Sequence, residues 1–499
     1  MNHNYSILLL GLFFSLFPFG LRAQVVQIPD SAFKMQLLAL GVDQNRNGKI
    51  EVSEAEFRKN IQLQGIPWVK DMTGLEAFVN LENLELRGHP VEHLPLTKLS
   101  KLRFLQAPGA RFDTLDLSGN TLLRELNING SVVPELNLQQ LPNLERAFIS
   151  FTGLTKLNLE ALPSLRVLTI NWTEIDSLDL GGVPNLRHLE LEHSLVRHLD
   201  ARSNIKLEHL NCASSRLKTL KLPNGYRLRS LNCGNNNLVE LDARDLIFLE
   251  FLDCDFNKLK RLNLSRNFGL KELSCHWNQL KEIDLKNCPQ LQFLKASFNE
   301  LDSMNLSGSQ DLMIVDVEFN LLSSLILPEN NQIRILKTGR NPNIRYLRIP
   351  QSRYLTELDI HDCPELEEVC FEDLGLTLGG INIFDYASPK VTYVSCREEE
   401  NDIPVQGPPL YPNPAQDRLT VRAQWDAKSN QAVGKPSRII FYTLSGQEVW
   451  RKKISQPGDL LVEVDVSSLP AGLYLVQIQY SSLEDLYDPI WTRLQIVSP

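Results

Sequence analysis

Oxygen-bearing side chains alternate along residues 43–54, whose sequence is DQNRNGKIEVSE. Carboxylate or amide oxygens occupy the first, third, fifth, ninth and twelfth positions of this segment, and a backbone carbonyl is available at the seventh. Oxygen ligands with this spacing suit Ca²⁺, a hard cation that takes about six to eight oxygens. Gly48 allows the sharp turn that such a loop needs, and Ile50 is expected to pack inward. The segment therefore predicts a calcium site formed by Asp43, Asn45, Asn47, Lys49, Glu51 and Glu54.

The same segment matches D-x-[DN]-x-[DN]-G-x₅-E and resembles the EF-hand calcium loop. The resemblance implies that Lys49 offers its carbonyl, that Glu51 acts through water and that Glu54 is bidentate. The amides of Asn45 and Asn47 lower the charge of the loop, and no second loop pairs with it. We therefore expect weak binding, with Kd about 10⁻⁴ to 10⁻³ M. The alternative is a metal-free turn that caps the domain that follows.

Apolar residues recur at intervals of 21 from Leu81 to Ile333, and the pattern resumes at Leu355 after one inserted residue near Asn341. A second apolar residue follows each of these anchors after three positions, and a third follows after ten, from Val91 to Leu322. One such unit cannot bury its leucines, whereas a stack of units buries them in a continuous core. The period therefore predicts a solenoid of stacked coils.

The unit LRSLNCGNNNLVELDARDLIF, residues 228–248, resembles the short bacterial leucine-rich repeat LxxLxCxxNxLxxLxL. Residues 66–86, IPWVKDMTGLEAFVNLENLEL, look like the segment that leads into the repeats of internalins. We predict a mainly β fold, with about fourteen 21-residue coils forming a curved parallel sheet over residues 61–396. A small helical cap is expected before it, over residues 24–60, with its first helix capped by Asp30.

Two kinds of polar residue recur inside the repeat. Cys212, Cys233, Cys254 and Cys275 share the parity of the buried leucines, so we expect a row of free buried thiols rather than a tetrahedral metal site. An asparagine stands eight positions after each anchor from Asn236 to Asn341, where it can bond backbone groups of its own and neighbouring coils. Earlier coils have other residues there, and we expect the N-terminal half to be less regular.

Residues two, four and six positions after each anchor should face the concave surface, which solenoids use for binding. In the middle coils these positions carry aromatic, acidic and histidine side chains, and an aromatic follows each strand. Such rings and carboxylates suit a ligand with apolar and basic or hydroxyl groups, although rings that merely stack along the rim are the alternative. We expect central rings and peripheral carboxylates, in a binding face formed by Phe251, Asp253, Asp255, Phe256, His276, Trp277, Phe293, Phe298, Asp316, Glu318 and Phe319.

No catalytic residue is assigned, because the chain has no GxSxG elbow or HExxH motif. We predict a non-catalytic, monomeric protein that binds a protein or glycan. The alternatives are a surface enzyme with a carboxylate and histidine site on the concave face, and a structural surface-layer component. A surface metal site around His188, Glu190, His193 and His209 is a further alternative. The net charge of −9 argues against nucleic acid as the partner.

An apolar run at residues 6–21, followed by Arg22-Ala23-Gln24, predicts a signal peptide over residues 1–23. An N-terminal membrane anchor is the alternative. We find no second apolar stretch of about 18 residues, so we expect no membrane span in the mature chain.

Near the other end, the repeat period breaks between Cys370 and Cys396. Export permits a disulfide between them, and secreted bacterial repeat proteins of this kind often close with a cysteine pair so placed. Residues 397–410 are acidic and proline-rich and are predicted to be a linker, after which alternating strands over residues 411–499 predict an Ig-like β-sandwich.

This last segment is similar to the C-terminal sorting domain of type IX secretion. The similarity rests on YPNP at 411–414, YTLSGQEV at 442–449, DVSSLPAGLYLVQI at 465–478 and the closing strand WTRLQIV. It implies that the outer-membrane type IX machinery recognises the chain. It also implies that the protein is secreted or attached to the surface of a Gram-negative cell.

Overall fold

The computed structural model describes residues 24–224, 227–350, 352–371, 381–385 and 391–395, together with the backbone of eight strands between residues 410 and 496. The chain divides into two compact units, Met1–Cys396 and Arg397–Pro499. The predicted signal peptide and nearly all of the predicted linker lie outside the described residues.

The N-terminal cap contains two short α-helices, Ser31–Ala39 and Val52–Phe57. Asp30 begins the first helix, because its side chain accepts hydrogen bonds from the backbone N–H groups of Ala32 and Phe33. The loop of the predicted calcium site connects the two helices. In the described part of the chain, no helix is long and apolar enough to cross a membrane.

The first unit is a parallel β-solenoid whose main sheet has sixteen strands. Each strand is centred on the apolar residue three positions after the anchor, so Leu231 pairs with Leu252, 21 residues later. The inserted residue widens one step to 22, from Leu336 to Leu358. Sixteen strands are slightly more than the roughly fourteen coils that the sequence predicts. The strands are Asn60–Gln62, Asn83–Glu85, Phe104–Gln106, Glu125–Asn127, Arg146–Phe148, Val167–Thr169, His188–Glu190, His209–Asn211, Ser230–Asn232, Phe251–Asp253, Glu272–Ser274, Phe293–Lys295, Ile314–Asp316, Ile335–Lys337, Glu357–Asp359 and Asn382–Phe384.

The return segments of several coils also pair, in short parallel sheets that the repeat pattern did not predict. Two 3₁₀ turns, Leu75–Ala77 and Ser352–Tyr354, complete the elements of this unit. The additional strands are His198–Asp200, Thr219–Lys221, Glu240–Asp242, Arg261–Asn263, Ser303–Asn305, Ser324–Ile326, Tyr346–Ile349, Glu368–Phe371 and Thr392–Ser395.

The cysteine row lies in the core, as predicted. Cys212, Cys233, Cys254 and Cys275 are buried and free, and so is Cys288, while Cys363 is also buried. Burial raises the pKa of the Cys212 thiol to about 12, which keeps it protonated at neutral pH. These thiols therefore pack as small apolar side chains rather than as metal ligands.

The asparagine row forms the predicted ladder. The Asn278 amide donates to the carbonyls of Cys254 and Cys275, and its carbonyl accepts from the backbone N–H of Leu259. In the N-terminal half, Thr173 makes a single bond of this kind, to the carbonyl of Ile170. The strand register of 21 is the same in both halves, so the expected loss of regularity does not extend to the main sheet. Among the described residues, paired return strands begin only at His198, so the N-terminal half is less regular in its return segments.

The described strands of the second unit are antiparallel, and most are longer than those of the solenoid. One sheet contains Leu410–Tyr411, Arg418–Arg422 and Leu461–Asp465. The other contains Gln424–Asp426, Gln431–Tyr442, Glu448–Lys453, Gly472–Ser481 and Ile490–Ile496. The strand content agrees with an all-β domain, and the Ig-like sandwich packing stays a prediction.

Candidate functional site: the concave face

The concave face consists of side chains that point away from the core on the sixteen-stranded sheet. On one central coil, Phe251 begins the strand and is exposed, Asp253 and Asp255 follow and are half-buried, and exposed Phe256 comes after the strand. The carboxylates therefore lie between two sets of rings along the coil. The expected order, with rings at the centre and carboxylates around them, is wrong.

The rings that follow the strands form a continuous stack. Ring centroids are 5.7 Å apart from Phe256 to Trp277, 4.1 Å from Trp277 to Phe298 and 3.9 Å from Phe298 to Phe319. The guanidinium carbon of Arg340 lies 4.6 Å from the Phe319 centroid and ends the row. We call these five residues the aromatic ladder. The stacking that the sequence left as an alternative is thus present, and Trp277 still has 48% of its surface exposed.

A shorter ladder occupies the same position in earlier coils. Phe151 stacks on Trp172 with a centroid distance of 5.8 Å, and Trp172 stacks on His193 at 3.8 Å. The backbones of these residues and of the aromatic ladder are left-handed, with φ between 50° and 60°. Non-glycine residues rarely adopt this conformation, so stacking must offset its cost.

Asp255 and His276 form an ion pair between neighbouring coils. His276 Nε2 lies 2.7 Å from Asp255 Oδ2, and the His276 backbone N–H donates to Asp255 Oδ1. Ser274 also donates to Asp255, and Ser297 lies 3.2 Å from His276 Nδ1. The hydrogen bond with Asp255 raises the pKa of His276 above its ordinary value.

A second polar group lies further along the same face. Burial raises the pKa of Asp316, and burial together with Asp316 and Asp359 raises the pKa of Glu318. His361 is buried, with Nδ1 2.6 Å from Asp359 Oδ1 and 3.6 Å from Glu318 Oε1. The predicted set stops at Phe319 and misses Asp359 and His361. Their positions, four and six residues after Leu355, carry the same signal as the residues that were predicted.

The structure brings together only part of the histidine group around His188. The rings of His188 and His209 are 5.6 Å apart, and Glu190 lies 2.8 Å from His188. Within the described residues, the three metal-ligating side chains whose ligand atoms all lie within 4.8 Å of one another are instead Glu318, Asp359 and His361.

The predicted calcium loop closes on itself through its own oxygens. Asp43 accepts from the backbone N–H groups of Asn47 and Gly48, and the amides of Asn45 and Asn47 donate to Glu51. The sharp turn within the loop uses the left-handed backbone of Gly48, at φ 76°. Glu54 accepts from the backbone N–H groups of Gln44, Asn45 and Glu51.

This donor set consists of oxygens on one loop between two helices, and it fits Ca²⁺. On that fit the ion would be held by the oxygens of Asp43, Asn45, Asn47, Glu51 and Glu54 and the carbonyl of Lys49.

At the C-terminal end of the solenoid, Cys370 is disulfide-bonded. Cys396, its predicted partner, lies outside the described residues. Two open depressions of about 390 and 420 Å³ are lined by other residues, among them His198 and Asp200 in the first and Arg229 and Phe248 in the second. Neither depression includes a residue of the predicted binding face.

Residues 409–485 match the family model described as the secretion system C-terminal sorting domain. Among curated proteins, none matches the sequence significantly. The functional domain of InlJ from Listeria monocytogenes, which includes a cysteine ladder, is similar in structure. It has 19% identity and a TM-score of 0.51, with 95% of this chain and 100% of that chain covered.

Two further structures are similar to parts of the chain. The internalin inlF from Listeria monocytogenes has 18% identity and a TM-score of 0.41, covering 72% of this chain and 95% of that one. The APL1 leucine-rich repeat domain has 19% identity and a TM-score of 0.48, covering 65% and 83%.

The fold is therefore an internalin-like leucine-rich repeat solenoid, and the chain ends in a type IX sorting domain. That domain directs export to the cell surface or beyond it, by the route that Bacteroidetes use, and implies engagement of the type IX machinery.

Proposed function

We propose that this exported protein is a non-catalytic scaffold whose concave face binds a protein ligand with basic and apolar groups. The observation that supports this proposal is the row of carboxylates between two sets of rings. Asp253, Asp255, Asp316 and Glu318 supply negative charge, while Phe251 presents an exposed ring. Exposed aromatic side chains are frequent anchors of protein interfaces, and the carboxylates favour a partner with basic groups.

A binding role also agrees with where these groups lie. The carboxylates stand on an open sheet face, whereas catalytic groups usually line a concave pocket. A surface enzyme is the other candidate, favoured by the raised pKa values of Asp316 and Glu318 beside a histidine. If the unmodified protein turned over a substrate and His361→Gln did not, the result would favour the surface enzyme instead.

The proposal is tested by capturing ligands on the immobilised mature protein from extracts of host and bacterial surfaces, and then measuring affinity for the purified ligand. Trp277→Ala and Phe293→Ala should each weaken binding by about 2 kcal/mol, roughly thirtyfold. Asp253→Asn removes a half-buried carboxylate that lies between the rings, so it should weaken binding as well as reduce the salt dependence. Phe268→Ala is the control, because Phe268 is 44% exposed but lies in a turn outside the sheet.

Unchanged affinity in both aromatic variants would place the binding site elsewhere. Capture of a glycan rather than a protein would contradict the assigned ligand class. A large loss of affinity in Phe268→Ala would show that the effects are not specific to the concave face.

We also propose that the loop at residues 43–54 binds Ca²⁺ and stabilises the cap on which the solenoid begins. The first helix of the cap buries Phe33 and Leu37 in the core, so an ordered loop supports the end of the stack. This role requires only the weak affinity that is typical of extracellular calcium modules.

A further inference from the structure

Glu318 meets Asp359 and His361 across a complete intervening coil, whose strand is Ile335–Lys337. Neighbouring strands in a sheet are about 4.8 Å apart, so the strands next to these residues are roughly 9.6 Å apart. His361 Nδ1 nevertheless lies 3.6 Å from Glu318 Oε1. The imidazole therefore leans over the coil between them.

Gly339 makes this contact possible. A Cβ atom at residue 339 would lie 2.4 Å from His361 Nδ1 and 3.1 Å from Glu318 Oε1. The backbone of Gly339 is not left-handed, so the local conformation does not require glycine. What the glycine supplies is space, which the His361 ring and the Glu318 carboxylate occupy.

We propose that Glu318, Asp359 and His361 bind Zn²⁺ on the concave face. Zinc accepts imidazole nitrogen and carboxylate oxygen, and three protein ligands leave a fourth position open for water or a bound group. At metal–ligand distances of about 2.0–2.2 Å, a tetrahedral ion separates its ligand atoms by about 3.3 Å. The present separations of 2.6 and 3.6 Å need only small side-chain movements to reach that value.

The charge balance also favours a cation at this place. Asp316 lies on the same face, so three carboxylates converge on a region where His361 is buried. The nearby Lys337 ammonium pairs with Glu357 at 3.1 Å and also acts on Asp316 and Glu318, yet burial still raises the pKa of both carboxyl groups. Partly buried carboxylates are costly without compensating positive charge, and a divalent ion supplies it.

The site shares Glu318 with the proposed binding face, but its test is separate because metal binding is measured without any macromolecule. Untagged mature protein would be treated with chelator, returned to calcium-containing buffer and titrated with ZnCl₂ by calorimetry. We expect one Zn²⁺ per chain with His361 as a ligand. Co²⁺ in its place should give the visible absorption of a tetrahedral site.

His361→Gln removes a ligand, and Gly339→Ala fills the space that the ring needs. Each should weaken Zn²⁺ binding by at least roughly tenfold and alter the Co²⁺ spectrum. His276→Gln is the matched control, since it removes another histidine paired with an aspartate on the same face, and its Zn²⁺ affinity should match that of the unmodified protein.

Circular dichroism would verify that each variant is folded, and Glu318→Gln, which keeps the shape of the side chain, provides a second ligand test. Absence of Zn²⁺ binding by the unmodified protein would overturn the proposal. Zn²⁺ affinities of His361→Gln and Gly339→Ala that equal that of the unmodified protein would overturn it as well.

Discussion

The Trp277 ring stacks on the Phe298 ring at 4.1 Å although both residues have left-handed backbones, with φ of 53° and 56°. A left-handed non-glycine residue costs about 1–2 kcal/mol, and an aromatic pair contributes about 0.5–1.5 kcal/mol beyond its buried area. Trp277 also stacks on Phe256. The two stacking contacts therefore offset the strain at Trp277.

Replacing Trp277 separates these two effects. Trp277→Ala loses the stacking and keeps the strain, so the free energy of unfolding should fall by about 2–3 kcal/mol. Trp277→Gly loses the same stacking but relieves the backbone, and should be about 1 kcal/mol more stable than the alanine variant. Urea denaturation of both variants measures the difference. Equal stabilities would show that the left-handed backbone stores no strain.

Asn278 should be among the most sensitive positions of the solenoid. Its amide donates to the carbonyls of Cys254, Cys275 and His276, at 3.0, 3.1 and 3.2 Å, and all of these bonds vanish in Asn278→Ala. Unpaired buried groups cost about 1–3 kcal/mol each, so we expect a loss of at least about 3 kcal/mol.

Thr173→Ala is the control for Asn278, because Thr173 occupies the equivalent position and makes one bond, to Ile170. It should cost only about 1 kcal/mol in the same denaturation assay. Similar losses for the two variants would contradict the ladder as the source of stability.

The Asp255–His276 pair should make stability depend on pH. Its hydrogen bond raises the pKa of His276 in the folded state, above about 6.5 in the unfolded state. The pair therefore contributes fully below about pH 6.5, and the contribution is lost as pH rises through the folded pKa. An NMR titration should show a His276 pKa above 6.5 that falls in Asp255→Asn. An unchanged pKa in that variant would contradict the assignment of the shift to Asp255.

Calcium should raise the melting temperature of the mature protein at millimolar concentration. The shift should disappear in Asp43→Ala, because this variant removes the first ligand of the loop. Mg²⁺ at the same concentration is the ionic-strength control and should produce a smaller shift. If Ca²⁺ up to about 10 mM leaves the melting temperature of the unmodified protein unchanged, the loop is not a calcium site of the expected affinity.

Deleting residues 411–499 should stop export at the periplasm, because it removes nearly all of the matched sorting domain, residues 409–485. The solenoid should stay folded, because it is a separate compact unit. Cell fractionation and surface proteolysis would locate the truncated chain. A truncated chain displayed on the surface at the normal level would show that the domain is not needed for export.

The period of 21 was enough to predict the approximate number of coils, the parallel register, the inward-facing cysteines such as Cys254 and the backbone hydrogen bonds of asparagines such as Asn278. These features are predictable because every coil of a solenoid contacts only its neighbours, so the spacing along the chain directly sets the spacing in the core. The sorting domain was recognisable for a similar reason, since it depends on one continuous segment. The calcium loop, which also depends on one continuous segment, stays a prediction.

The tertiary structure decided which outward-facing side chains meet. The repeat places Glu318, Gly339 and His361 at equivalent positions of successive coils, but their order in the sequence does not show that His361 reaches over Gly339. Likewise, the left-handed backbone at Trp277 sets where its ring stacks. Side-chain direction, and the presence or absence of a Cβ atom between two groups, are properties of three-dimensional packing that a period along the chain does not specify.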